Sequence, residues 1–169
     1  WVLISTALVL FMIPGLAFFY GGMVRSKNFL AMLMQNFFAM GLLAVLWALV
    51  GYSIAFGNFG DAGWFGGFDH LGLKDVGMDD SLGLGIPVVL FAAFQMTFAM
   101  ITPALITGAT ADRLKFAGYA VCIGAWLLLV YSPVAHWAFG GGWIADMGAL
   151  DFAGGAVIDL RALADVDTH

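Results

Sequence analysis

The sequence predicts an all-α fold, a polytopic transmembrane helix bundle. Four stretches, 1–24, 28–60, 81–111 and 116–145, contain no Asp, Glu, Lys or Arg. The bilayer core takes about 20 apolar residues per helix, so each stretch is long enough for a crossing. The whole chain of 169 residues carries 6 Lys and Arg and 11 Asp and Glu, while 63% of it is hydrophobic. That is too little charge to cover the surface of a water-soluble domain of this size. Function is therefore to be sought inside a helix bundle.

Each element follows from where the apolar runs stop. The first helix runs from about Trp1 to Met23 and ends at Val24-Arg25-Ser26-Lys27-Asn28. The second occupies about Phe29 to Phe56 and stops in the turn Gly57-Asn58-Phe59-Gly60. Residues 58–83 form a Gly-rich loop with Asp61, Asp69, Asp75, Asp79 and Asp80 against one Lys74. A third helix spans about Leu84 to Ala111 and ends at Asp112-Arg113-Leu114-Lys115. The fourth covers about Phe116 to Trp137. Gly140-Gly141-Gly142 then connects to Asp151, where a fifth helix is expected to begin.

Charge placement orients the crossings. Arg25, Lys27, Arg113 and Lys115 fall on one side, and the acidic loop 58–83 falls on the other. The excess of Lys and Arg in cytoplasmic loops puts the first group inside and the N-terminus and long loop outside. The last eleven residues, 159–169, break the apolar pattern with Asp159, Arg161, Asp165 and Asp167. A charge at mid-membrane costs roughly 3 kcal/mol on insertion scales, so this tail is expected to be atypical and not a crossing.

Several function classes drop out on composition. A net charge of −5 with no basic stripe speaks against nucleic acid. Cys122 is the single cysteine, which leaves no intrachain disulfide and no Cys-rich metal site, and it reads as a small residue buried in a helix. His70 and His136 have no metal-ligand spacing to another His or Cys. The start carries no charged segment or cleavage pattern, so a cleaved signal peptide is not expected. The triglycine has no preceding strand and no following Lys-Ser/Thr, against a phosphate loop. No nucleophile–base–acid set is visible, so no enzyme and no cofactor are expected.

The remaining candidates are few. Phe94 and Phe98 lie four apart and share a helix face. Two rings on one face suit either packing or a narrow pore that attracts a small cation. Gln95, Thr97 and Thr102 are polar neighbours able to bond across helices or back to a carbonyl. Asp151 precedes an apolar run, as a helix cap would, and a carboxylate there also suits an approaching cation. His136, beside Trp137 at the end of the fourth helix, reads as a structural residue at a membrane interface. Pro14 and Pro103 fall inside helices, where a missing N–H favours a kink.

Read together, six segments resemble the ammonium transporter family. They are Pro14 to Arg25, Phe94-Gln95-Met96-Thr97-Phe98-Ala99, Ala109-Thr110-Ala111-Asp112-Arg113, Pro133-Val134-Ala135-His136-Trp137, Gly140-Gly141-Gly142-Trp143 and Gly148 to Gly155. The resemblance covers residues 1–158 and implies the first inverted repeat, helices 1–5 with the fifth incomplete, of an eleven-helix fold. It further implies a homotrimer with one pore per subunit, in the plasma (inner) membrane, and a possible PII-type regulatory partner for the full-length form. Under it Phe94 and Phe98 look like the paired aromatic gate, and Asp151 like the family's Asp near the outer vestibule. Phe139 stands where many relatives have Trp, at the site that recruits ammonium. Asp159 stands where the family places its first pore histidine. The implied activity is capture of ammonium outside, loss of its hydration shell and passage through an apolar pore. An ammonium-sensing membrane module and an inactive truncated remnant are the competing expectations.

Overall fold

A computed structural model describes residues 1–57, 63–80, 82–110, 114–148, 151, 154, 155 and 157, and among these there are helices, turns and loops but no strand. The bundle is built from α1 (Val2–Met23), α2 (Phe29–Leu46), α3 (Tyr52–Phe56), α4 (Val88–Thr110), α5 (Phe116–Trp126), α6 (Ser132–Phe139) and the short α7 (Trp143–Asp146). A 3-10 turn, Ser26–Asn28, leads into α2. A π turn, Trp47–Gly51, continues α2 into α3, and a second, Leu127–Tyr131, continues α5 into α6. Among the described residues, four segments are long and apolar enough to cross a membrane: Val2–Met23, Ser26–Phe56, Val88–Gly108 and Phe116–Asp146. Ser26–Phe56 has 31 residues, about 46 Å at 1.5 Å per residue, which spans a bilayer with tilt.

The buried stripe of α1 is Ile13, Ala17 and Gly21, spaced by four along one face. That face packs on α4 and α2, and the rest of the helix presents apolar side chains outward. Small residues allow the close approach that lipid tails do not drive. At Gly108 of α4 an added Cβ would sit 2.9 Å from the ring of Tyr20, whose hydroxyl donates to the Leu105 carbonyl at 3.2 Å. A buried polar pair joins α2 to α4. There the Thr107 hydroxyl donates to Asn36 Oδ1 at 3.2 Å, and Asn36 Nδ2 donates to the Met32 carbonyl at 2.9 Å.

The two π turns face each other, and Trp47 lies at their junction. It is 1% exposed, makes edge contacts with Tyr52, Phe56 and Tyr131, and donates its indole N–H to the Ala92 carbonyl at 3.3 Å. The second π turn has a local cause. Pro133 has no N–H to give the preceding turn, and Ser132 sends both its N–H and its hydroxyl back to the Leu127 carbonyl, the latter at 3.0 Å. Beyond the π turn, α6 packs on α3.

Three expectations change. The third long helix starts at Val88, not near Leu84. Asp80 accepts the N–H groups of Leu84 and Gly85 at 2.8 and 2.7 Å, and Gly83 and Gly85 adopt positive φ, so the chain turns before Pro87 opens the helix. Cys122 is exposed, because α5 buries Tyr119, Ile123 and Gly124 on a different face. The triglycine segment does not run directly to Asp151, since α7 intervenes. Most of the expected fifth helix, with the tail 159–169, lies outside the described residues.

A buried hydroxyl helps to tie the loop after α3 to that helix. Ser53 Oγ donates to the Gly67 carbonyl at 3.2 Å and accepts the His70 N–H at 3.0 Å. Ser53→Ala leaves both groups without that partner and is expected to cost roughly 1–3 kcal/mol. The loss is expected to appear as faster amide exchange across 64–74 with the helices unchanged; equal protection of that loop contradicts the assignment.

Candidate functional site

The sequence-predicted aromatic pair is formed. Phe94 and Phe98 lie on α4 with ring centroids 5.0 Å apart and planes at 86°, an edge-to-face contact. Both are half-buried, and Phe98 packs against the bundle core. The flanking threonines bond back along the same helix, Thr97 Oγ1 donating to the Phe94 carbonyl at 2.6 Å and Thr102 Oγ1 to the Phe98 carbonyl at 2.7 Å. Both hydroxyls are thereby satisfied within the helix. Gln95 is 7% exposed and its Oε1 has no partner among the described residues.

Phe139 is the last residue of α6, half-buried against the core, at the end of the bundle where α3 also ends. Three tryptophans lie at that end. Trp137 meets Trp64 at 5.6 Å and Trp143 at 5.9 Å between centroids, and it donates its indole N–H to the Trp64 carbonyl at 2.8 Å. Asp151 is half-buried, with its Oδ1 3.9 Å from where a Cβ on Gly155 would stand, so its carboxyl folds over the backbone that follows it. Asp159 lies outside the described residues. Phe94 and Phe98 are in contact; Phe139 and Asp151 sit on separate segments.

His136, expected to be structural, is enclosed by the bundle. It is 0% exposed, and its Nδ1 lies 2.9 Å from the Ala55 carbonyl of α3. The partner is 81 residues away in the chain, which is why spacing gave no sign of it. The one sequence signal was a histidine one turn before a triglycine. Among the described residues no cluster of His, Cys, Asp or Glu forms a metal site.

Four membrane-capable segments, an aromatic pair on α4 and Lys and Arg gathered beyond the helix ends define an integral membrane helix bundle. The chain belongs to the Ammonium Transporter Family, whose model matches residues 1–162. It is similar to an ammonium transporter of Mycobacterium tuberculosis, 48% identical over 186 aligned positions that take in 96% of this chain and 39% of the relative. A Bacillus subtilis ammonium transporter is 48% identical over 156 positions, covering 92% of this chain and 38% of that protein. The crystal structure of the N240A mutant of Candida albicans Mep2 superposes with a TM-score of 0.89 at 34% identity, over 98% of this chain and 37% of that one. The chain thus spans about two-fifths of the length of the relatives it matches.

Proposed function

We propose that this chain is the first-repeat part of a channel-like transporter that moves ammonium or ammonia across the plasma membrane. Family membership supports the substrate, and the edge-to-face Phe94–Phe98 pair is the observation that carries the mechanism. A cation in a narrow apolar passage must shed water, and an aromatic face returns part of that loss within about 6 Å. Phe94 and Phe98 act as the gate. Phe139 and Asp151 form the outer capture site, one giving a π face and the other a carboxylate. Residues 1–158 form the repeat and 159–169 the atypical tail, with Asp159 at the position of a pore histidine.

Loop charges support the orientation. Arg25, Lys27, Arg113 and Lys115 face the cytoplasm, and the N-terminus and loop 58–83 face outward. The homotrimer and a PII-type regulatory partner belong to the same proposal for the full-length form. The exposed apolar face of α1 gives further helices or further subunits a surface to cover.

Phe139 gives the reading a direct test. Trp binds cations better than Phe and adds an N–H donor. Phe139→Trp in the intact gene product is expected to lower the apparent KM for radiolabelled methylammonium uptake by roughly two- to fivefold, the scale of 0.5–1 kcal/mol. An unchanged or raised KM removes Phe139 from the capture site.

A further inference from the structure

We infer that His136 is a positioning residue for the outer mouth, holding Phe139 in place through its Nδ1–H and not through its other ring nitrogen. The inference rests on the function proposed above and adds a residue to its outer site.

The end of α3 would leave its last carbonyls without helical partners, and two of them are taken by groups outside the helix. Ser53 O keeps the helical bond from the Gly57 N–H at 2.8 Å, whereas Ile54 O accepts the Gly66 N–H at 2.6 Å and Ala55 O lies 2.9 Å from His136 Nδ1. A carbonyl only accepts, so Nδ1 carries the proton. The backbone of the same residue holds the following turn. The His136 carbonyl accepts the N–H of Gly140 at 3.0 Å and of Gly142 at 3.1 Å. Phe139 lies in the chain between His136 and Gly140, within the turn that these bonds close.

The fit leaves no slack. A Cβ on Gly140 would stand 2.5 Å from the Ala55 oxygen and 2.7 Å from His136 Nδ1, so the glycine lies directly on the hydrogen bond. On the far side, Trp137 ties the turn to the Trp64 carbonyl. His136 Nε2 is buried and has no partner among the described residues. An N–H there would be a buried donor left unmade, whereas a bare lone pair costs less. The environment therefore selects the tautomer with the proton on Nδ1, and the ring works as a one-donor strut between α6 and α3.

Isosteric substitutions separate the two nitrogens. In Asn the amide nitrogen stands where Nδ1 stands; in Gln it stands where Nε2 stands; Leu has neither. In the intact gene product His136→Asn is expected to keep the apparent KM for methylammonium within about twofold of wild type. His136→Gln and His136→Leu are expected to raise it by about tenfold, the scale of one lost hydrogen bond, with the maximal rate changed less. Equal behaviour of all three variants, whether normal or impaired, overturns the inference. A second measurement stands if Gln and Leu fail to accumulate. Nitrogen-15 spectra of the histidine ring in membranes are expected to show Nδ1 protonated and Nε2 bare, and a proton on Nε2 alone overturns the assignment. That spectrum does not depend on transport, so an intact protein that ignores methylammonium but shows the Nδ1–H ring sinks the function and leaves the strut standing.

Discussion

Trp47→Ala is expected to cost about 3–5 kcal/mol, the range for emptying a buried aromatic site. The residue touches Tyr52, Phe56 and Tyr131 and reaches the Ala92 carbonyl, so one deletion opens the contact between both π turns and α4. Trp47→Phe keeps a ring and loses the indole N–H, and its expected cost is only about 1 kcal/mol beyond the change in packing. Thermal unfolding in detergent, followed by loss of the monodisperse peak in size-exclusion chromatography, reads both variants. A Trp47→Ala protein that melts with the wild type would show that the π turns are held elsewhere.

Replacing both Phe94 and Phe98 by leucine has the largest expected effect on function. Leucine keeps the passage apolar and removes both π faces, which separates cation attraction from simple exclusion of water. If the rings attract the dehydrating cation, the lost interaction is about 2 kcal/mol, and the apparent KM for methylammonium rises roughly thirtyfold. The back-bonded Thr97 and Thr102 hydroxyls use main-chain carbonyls and are unaffected by the change. A double variant with wild-type KM and rate would reduce the pair to packing.

The crossings were legible because the bilayer imposes length and apolarity residue by residue, and Arg25, Lys27 and Lys115 mark where helices stop. The Phe94–Phe98 contact followed from a spacing of four on one helix. What stayed hidden depends on groups far apart in the chain. The His136–Ala55 bond joins residues 81 positions apart, and no period in either segment announces it. The π turns were hidden for a different reason. An extra residue in a turn leaves the apolar run unbroken, so Trp47–Gly51 and Leu127–Tyr131 read as ordinary helix. The late start of α4 was partly readable, since Pro87 and the Gly83-Leu84-Gly85 turn were in view, but the apolar run masked them. Cys122 was misplaced because a membrane helix is apolar on both its buried and its exposed faces, so composition alone does not say which face packs.

The most direct test of the central claim is uptake of radiolabelled methylammonium by cells that lack their own ammonium transporters and express the intact gene product. The account predicts saturable uptake that excess ammonium competes away and that the Phe94→Leu, Phe98→Leu double variant weakens. A well-folded, membrane-inserted protein that gives no uptake above empty cells would contradict transport; if it still bound methylammonium, the protein would be an ammonium-binding module and not a conductor.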